Sequence, residues 1–351
     1  IYTLSLHDAL PILAYSAVIT ATNCKNILID SLVVDCTNNK HRGNDGGVCF
    51  RNCSNITIRT CNFYGKEDGS AGFYGLGLFK CEYVLVESND FSYFYQPGFW
   101  KPGESPSYDE GKTAWATYFN SVKNVVIRNN RLTKTYSGIK FTGWIENVQV
   151  TGNYTEGSIT DGLDFAGLSA LNVDISDNTF INNGDNGIEF KILEAGSGGS
   201  ISSDYKDSLE KYGYPITDPR YFKRVTIVNN TFIGHRGIKV YNRYTQEQLP
   251  YLGIYSVYAF DGDNVGDFYI SNNNLEDKPD SNNQPPYANN PNSRYGIQIC
   301  FAVSKLGSVV IVNNNGISNF GLYAVSSSNL LFQRNKFDAI NTAIYQRKDD
   351  D

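Results

Sequence analysis

Four short segments of the chain place a charged residue between two apolar ones: Ile139-Lys140-Phe141, Leu163-Asp164-Phe165, Ile188-Glu189-Phe190 and Ile238-Lys239-Val240. Two carboxylates held close together are the minimum equipment for cutting a glycosidic bond. One gives a proton to the leaving oxygen while the other activates water or attacks directly. If the segments are strands stacked at roughly 4.8 Å, Asp164 and Glu189 stand near the roughly 5 Å separation of a retaining pair. The same column also reads as a surface ladder of ion pairs, Lys140, Asp164, Glu189, Lys239 and then Gln298, contributing ~0.2–1 kcal/mol per cross-strand pair. Because Lys140 and Lys239 flank the two acids, the ladder is the favoured reading of this column.

Just ahead of these segments run two more columns: Ser137, Asp161, Asn186, Arg236, and Tyr136, Thr160, Asp185, His235. Lys191 and Tyr241 extend the patch along their segments, and Arg243 follows. Elimination from a uronate is the other chemistry within reach. Lys191, Lys239, Arg236 and Tyr241 would supply its base and counter-charge, and Ca²⁺ would be its cofactor; hydrolysis would need none. Hard cations want clustered oxygen ligands, and Asp261, Asp263 and Asn264 make one candidate, although most such runs are plain turns. No Cys/His spacing suggests zinc.

The element that must position these residues is a repeat. An apolar-x-apolar-x-x-Asn-x-aromatic unit runs along the chain as ITIRTCNF from Ile56, VLVESNDF from Val84, VVIRNNRL from Val125 and VQVTGNYT from Val148. It continues as VDISDNTF from Val173, VTIVNNTF from Val225, FYISNNNL from Phe268 and LLFQRNKF from Leu330. Alternating apolar residues mean strands with one buried face. The sixth position is Asn89, Asn130, Asn153, Asn178, Asn230, Asn273, Asn314 and Asn335 in turn, with Leu32 and Cys61 in the first two coils. Stacked asparagines at a turn can take φ > 0 and bond from rung to rung. A second strand follows each unit, as in GIKF at Gly138, GLDF at Gly162 and GIEF at Gly187. The spacing predicts an all-β chain, a right-handed parallel β-helix of about ten coils with long loop insertions.

The insertions fall at Ser92–Asn120, Leu193–Phe222, Asn242–Asn264 and Glu276–Arg294. They carry Trp100, Trp115, Tyr205 and Tyr251 among other aromatics, which either pack on the flank or present flat faces to sugar rings. Cys24, Cys53 and Cys81 share a column with Val122, Ile145, Ala170, Phe222 and Val265, so they read as small core residues rather than half-cystines.

The pattern resembles the pectin-lyase-like superfamily of right-handed β-helices over nearly the whole chain after residue 13. Within it, ITDGLD resembles the Asn-Thr-Asp-Gly element of the polygalacturonase-type hydrolases, NGDNGIEFK their Gly-Asp-Asp and GHRG their Gly-His-Gly. That resemblance implies Asp185 as general acid, Asp161 as activator of water and His235 as their support. It departs at Asn186, which stands where the family has its second Asp, and in lacking a clear Arg-x-Lys clamp; Arg236, Lys239 and Arg243 would serve.

Residues 1–12, IYTLSLHDALPI, resemble the translation of a sequencing adapter and are expected to be foreign to the repeat, leaving 13–351 as one β-helix domain truncated upstream. The formal charge of −6 gives no reason to expect nucleic acid or an anionic membrane, and no apolar run approaches a bilayer span. The expectation is therefore an extracellular, cell-surface or virion-associated protein, monomeric or homotrimeric, whose partner is a polysaccharide. A hydrolase is preferred, with a lyase or a non-catalytic adhesin or tailspike-type fibre as alternatives.

Overall fold

The computed structural model describes residues 2–5, 18–37, 46–66, 74–94, 115–158, 160–183, 186–192, 222–234, 236–242, 247–248, 255–256, 265–276, 297–302, 308–325 and 330–347. Among them there is no helix, and 27 strands join in one network of parallel pairings. The single antiparallel pair, Glu247–Gln248 with Tyr255–Ser256, lies apart from it. The chain is a right-handed parallel β-helix.

Each coil contributes three strand segments. In a central coil the first two run on from one another as Leu163–Ser176, and the third is the short Thr179–Ile181. The coil before it repeats the plan with Ile139–Thr151 and Tyr154–Glu156. Two-residue periodicity sends alternate side chains inward, and there they stack in columns. Phe141, Phe165 and Phe190 are fully buried, with ring centroids 4.7 and 4.6 Å apart and planes within 4° and 1°. Phe180 and Phe232 form a second stack at 5.0 Å.

One corner is held by the asparagine ladder. From Asn130 to Asn335 each Asn Oδ1 accepts from the Nδ2 of the Asn one coil earlier at 2.9–3.0 Å. The same oxygen takes the preceding backbone N–H, as from Asn130 to Asn153 at 3.0 Å. Cys61 N–H still donates to Asn89 at 2.9 Å, and the Cys61 thiol receives Leu32 N–H at 3.4 Å. The left-handed backbone, however, belongs to the residue before the ladder: Ser88, Asn129, Asp177, Asn229, Asn272 and Asn313 have φ of 55–57°. The ladder asparagine already begins the next short strand, so its neighbour makes the corner. A second left-handed column includes Asn26, Asn55, Asn124, Asn147 and Asn172, and Asn172 donates to Asn147 at 2.8 Å.

Cys24, Cys53 and Cys81 stack in register and lead into Val122, Ile145, Ala170, Phe222 and Val265. The six described cysteines are free thiols, all but Cys24 buried. The expected break at Ser92–Asn120 is shorter than the sequence suggested, because Trp115–Arg128 is one strand and Trp115 pairs with Tyr74. Most residues of the four insertions, with Asp261, Asp263 and Asn264, lie outside the described residues. Tyr2–Ser5 pairs in parallel with the strand Lys25–Asp30, Tyr2 opposite Ile27.

Candidate active site

The first strands of successive coils pair in register, aligning one residue per coil into a column. The register runs Gly77, Tyr118, Lys140, Asp164, Glu189, Lys239. After Lys239 comes Cys300, not Gln298. The sequence alone is blind to this two-residue slip, since a period of two leaves the inward and outward faces unchanged. One position is new. Tyr118 sits beside Lys140, hidden because its strand has Thr117 where the coils after it carry Ile or Leu and lacks the leading glycine.

Ser137, Asp161, Asn186 and Arg236 form the adjoining column, with Gly138 N–H donating to Asp161 O at 3.1 Å and Gly162 N–H to Asn186 O at 3.0 Å. Asp161 Oδ1 accepts from the Asn186 side-chain amide at 2.8 Å and from its backbone N–H at 3.2 Å. The same amide donates to Glu189 Oε1 at 3.2 Å. Lys140 Nζ donates to Asp164 Oδ2. One carboxyl oxygen from each of Asp161, Asp164 and Glu189 lies within 4.8 Å of the others. Ser137 and Thr160 share a hydrogen bond of 2.7 Å beside them. Lys239 and Arg236 occupy the next rung; their side chains, with those of Lys191 and Tyr241, lie outside the described residues, as do Asp185, His235 and Arg243.

The expected ion-pair ladder keeps its Lys140–Asp164 rung, but the cluster is buried rather than solvated. Asp161 and Asp164 are 2% exposed and Glu189 1%. Taking like charges out of water costs several kcal/mol or more per ion unless they are paired. Here the Lys140 ammonium pairs with Asp164, and the Asn186 amide bridges Asp161 and Glu189. Asp164 Oδ1 and Asn186 Oδ1, both buried, have no hydrogen-bond partner among the described residues. An all-oxygen donor set suits a hard cation such as Ca²⁺, although Lys140 already supplies positive charge at Asp164. Chemically the group can donate and accept protons at a glycosidic oxygen or at water.

No family model matches the chain, and none of the curated proteins does. Solved structures do. The Yersinia enterocolitica family 28 exopolygalacturonase aligns with TM-score 0.52 and 11% identity over 86% of this chain. PfbA, a surface adhesin of Streptococcus pneumoniae, aligns with TM-score 0.53 and 14% identity over 91% of it. This chain spans 47% of the first protein's length and 71% of the second's. The likeness establishes the parallel β-helix fold.

Proposed function

We propose that this chain is an extracellular carbohydrate-active protein that lays a polysaccharide across the coils from Tyr118 to Lys239 and cleaves it by hydrolysis. The observation that carries this reading is the meeting of the buried Asp161, Asp164 and Glu189 within 4.8 Å. Carboxyls that close can pass protons between water and a glycosidic oxygen. Asp161, held by two N–H donors of Asn186, is the group that activates water. Its acid partner is Glu189 or Asp185, and Asp164 is oriented by Lys140. Lys239, Arg236, Lys191, Tyr241 and Arg243 would grip the glycan alongside, with His235 as a supporting group. That one solved neighbour is an exopolygalacturonase supports the same reading.

A second reading, a glycan-binding surface protein without turnover, is favoured by the near-complete burial of the three carboxyls. The adhesin neighbour supports it too. The test is product release from a panel of neutral and acidic polysaccharides, reading reducing ends and unsaturated-uronate absorbance together. Reducing ends without unsaturation establish hydrolysis. Unsaturated product moves the chemistry to elimination, with Ca²⁺ dependence to be checked. Folded protein that binds a polysaccharide and releases nothing leaves the adhesin.

A further inference from the structure

The column does not stop at Lys140. One rung earlier it carries Tyr118, and one rung before that it carries no side chain at all, because the position is Gly77. The gap is walled by rings. A Cβ on Gly77 would lie 3.1 Å from Phe79 Cε2 and 3.3 Å from Tyr74 Cδ2. Tyr74 and Tyr118 stack at 4.9 Å with planes 29° apart, and Phe79 meets Tyr118 at 5.7 Å and Tyr74 at 6.2 Å. Arg51 lays its guanidinium on Phe79, 4.1 Å from the ring centroid. The Tyr118 hydroxyl is fixed by Thr142 Oγ1 at 3.0 Å, itself held by Asn120 at 2.9 Å.

We infer that Tyr118, Phe79 and Tyr74 form a saccharide-binding platform, seating one pyranose of the glycan on the N-terminal side of the carboxyl cluster. The inference rests on the polysaccharide reading above and adds a residue-level subsite and a direction to it. Three observations meet here. Tyr74 is buried and anchors the other rings, whereas Tyr118 and Phe79 remain half-buried and so keep surface for a ligand. The cluster is rigid, because each ring is braced by another ring, a guanidinium or a hydroxyl. Pre-ordered rings lose little freedom on binding. The platform is also continuous with the carboxyls: Tyr118 is one rung from Lys140 and two from Asp164, in one register. A glycan lying along the helix axis over the carboxyls reaches Tyr118 with its next units. The apolar C–H face of a pyranose is the chemistry that such rings accept.

Binding of oligogalacturonides and, as neutral probes, cello-oligosaccharides is measured by calorimetry on the full chain, with reducing-end release followed in parallel. Replacing Tyr118 by Ala weakens binding of the better probe about threefold to tenfold, the scale of one lost stacking contact. Tyr118→Phe keeps the ring and stays within twofold of the native protein. Gly77→Ala pushes Phe79 and Tyr74 by a few tenths of an ångström and weakens binding while keeping the Tyr118 side chain itself. Melting temperature and far-ultraviolet dichroism confirm that each variant is folded. If Tyr118→Ala binds as the native protein does while Asp161→Asn abolishes turnover, the platform is wrong and the hydrolase reading stands. If Tyr118→Ala loses binding to a protein that cleaves nothing, the platform stands and the hydrolase reading fails. Absence of binding by the native chain to every probe overturns the platform.

Discussion

Replacing Asn153 by Ala removes the middle of the asparagine ladder. Five side-chain hydrogen bonds go with it: two that Oδ1 accepts from Asn130 N and Nδ2, and three that Nδ2 gives to Ile127 O, Thr151 O and Asn178 Oδ1. They are not equal losses. Asn130 Nδ2 keeps the Val86 and Arg128 carbonyls, both at 3.0 Å. The Asn130 backbone N–H sits in a buried corner and loses its acceptor, and such an orphan costs about 1–3 kcal/mol. With the other bonds each contributing a net of about 1 kcal/mol or less, the expected destabilisation is roughly 3–5 kcal/mol. Asn153→Asp is the informative partner, because a carboxylate there would face two carbonyls and the Asn178 oxygen. It becomes a tolerable donor only when protonated, so its deficit should shrink as pH falls. Urea midpoints with constant slope measure both, against the exposed Gln149→Ala as control. A midpoint for Asn153→Ala no lower than that of Gln149→Ala would refute the reasoning that the ladder carries the corner.

Phe165→Ala, in the middle of the Phe141–Phe165–Phe190 stack, should cost about 3–5 kcal/mol in the same titration. Gly162→Ala sets a Cβ 2.5 Å from Phe180 Cδ1 and 2.6 Å from Thr155 Oγ1, so a loss of about 1–3 kcal/mol is expected from overpacking. Burial pushes the Cys36 and Cys81 thiols up from 9.0 to about 12. Between those limits the unfolded chain has released protons that the folded one retains, so stability is full below pH 9 and falls as pH rises toward 12. Thermal melts across that range check the sign. In a thiol-reagent assay at pH 8, both should stay unreactive until the protein is unfolded.

The repeat was the legible part of the sequence. Apolar alternation with an Asn at a fixed place locates the strands, the stacked phenylalanines and the ladder, because a solenoid repeats its local chemistry coil by coil. What could not be read are features that depend on exact register or depth. Gln298 and Cys300 both leave apolar neighbours facing inward, so only the pairing with Lys239 decides between them. Tyr118 is hidden in the sequence because its strand swaps Ile for Thr117, which is buried and bonds Gly138 O through its hydroxyl at 3.3 Å. The positive φ was expected on the ladder asparagines and falls one residue earlier. The charged column was visible as a column, but its burial was not, since Lys140, Asp164 and Glu189 have the composition of a solvated ladder. Asn186, read as a departure from a hydrolase motif, proves to be the amide that bridges Asp161 and Glu189.

The central claim is that Asp161 and its neighbouring carboxyls cut a glycan, and single-variant kinetics test it most directly. On the polysaccharide that the native chain degrades fastest, kcat is compared among Asp161→Asn, Glu189→Gln and Asp185→Asn, each with an unchanged melting temperature. Loss of a general acid or base predicts a fall of about 10²–10⁴ in Asp161→Asn and in one of the other two, identifying the acid. Native-like turnover in both Asp161→Asn and Glu189→Gln would contradict the claim and return the cluster to a structural role.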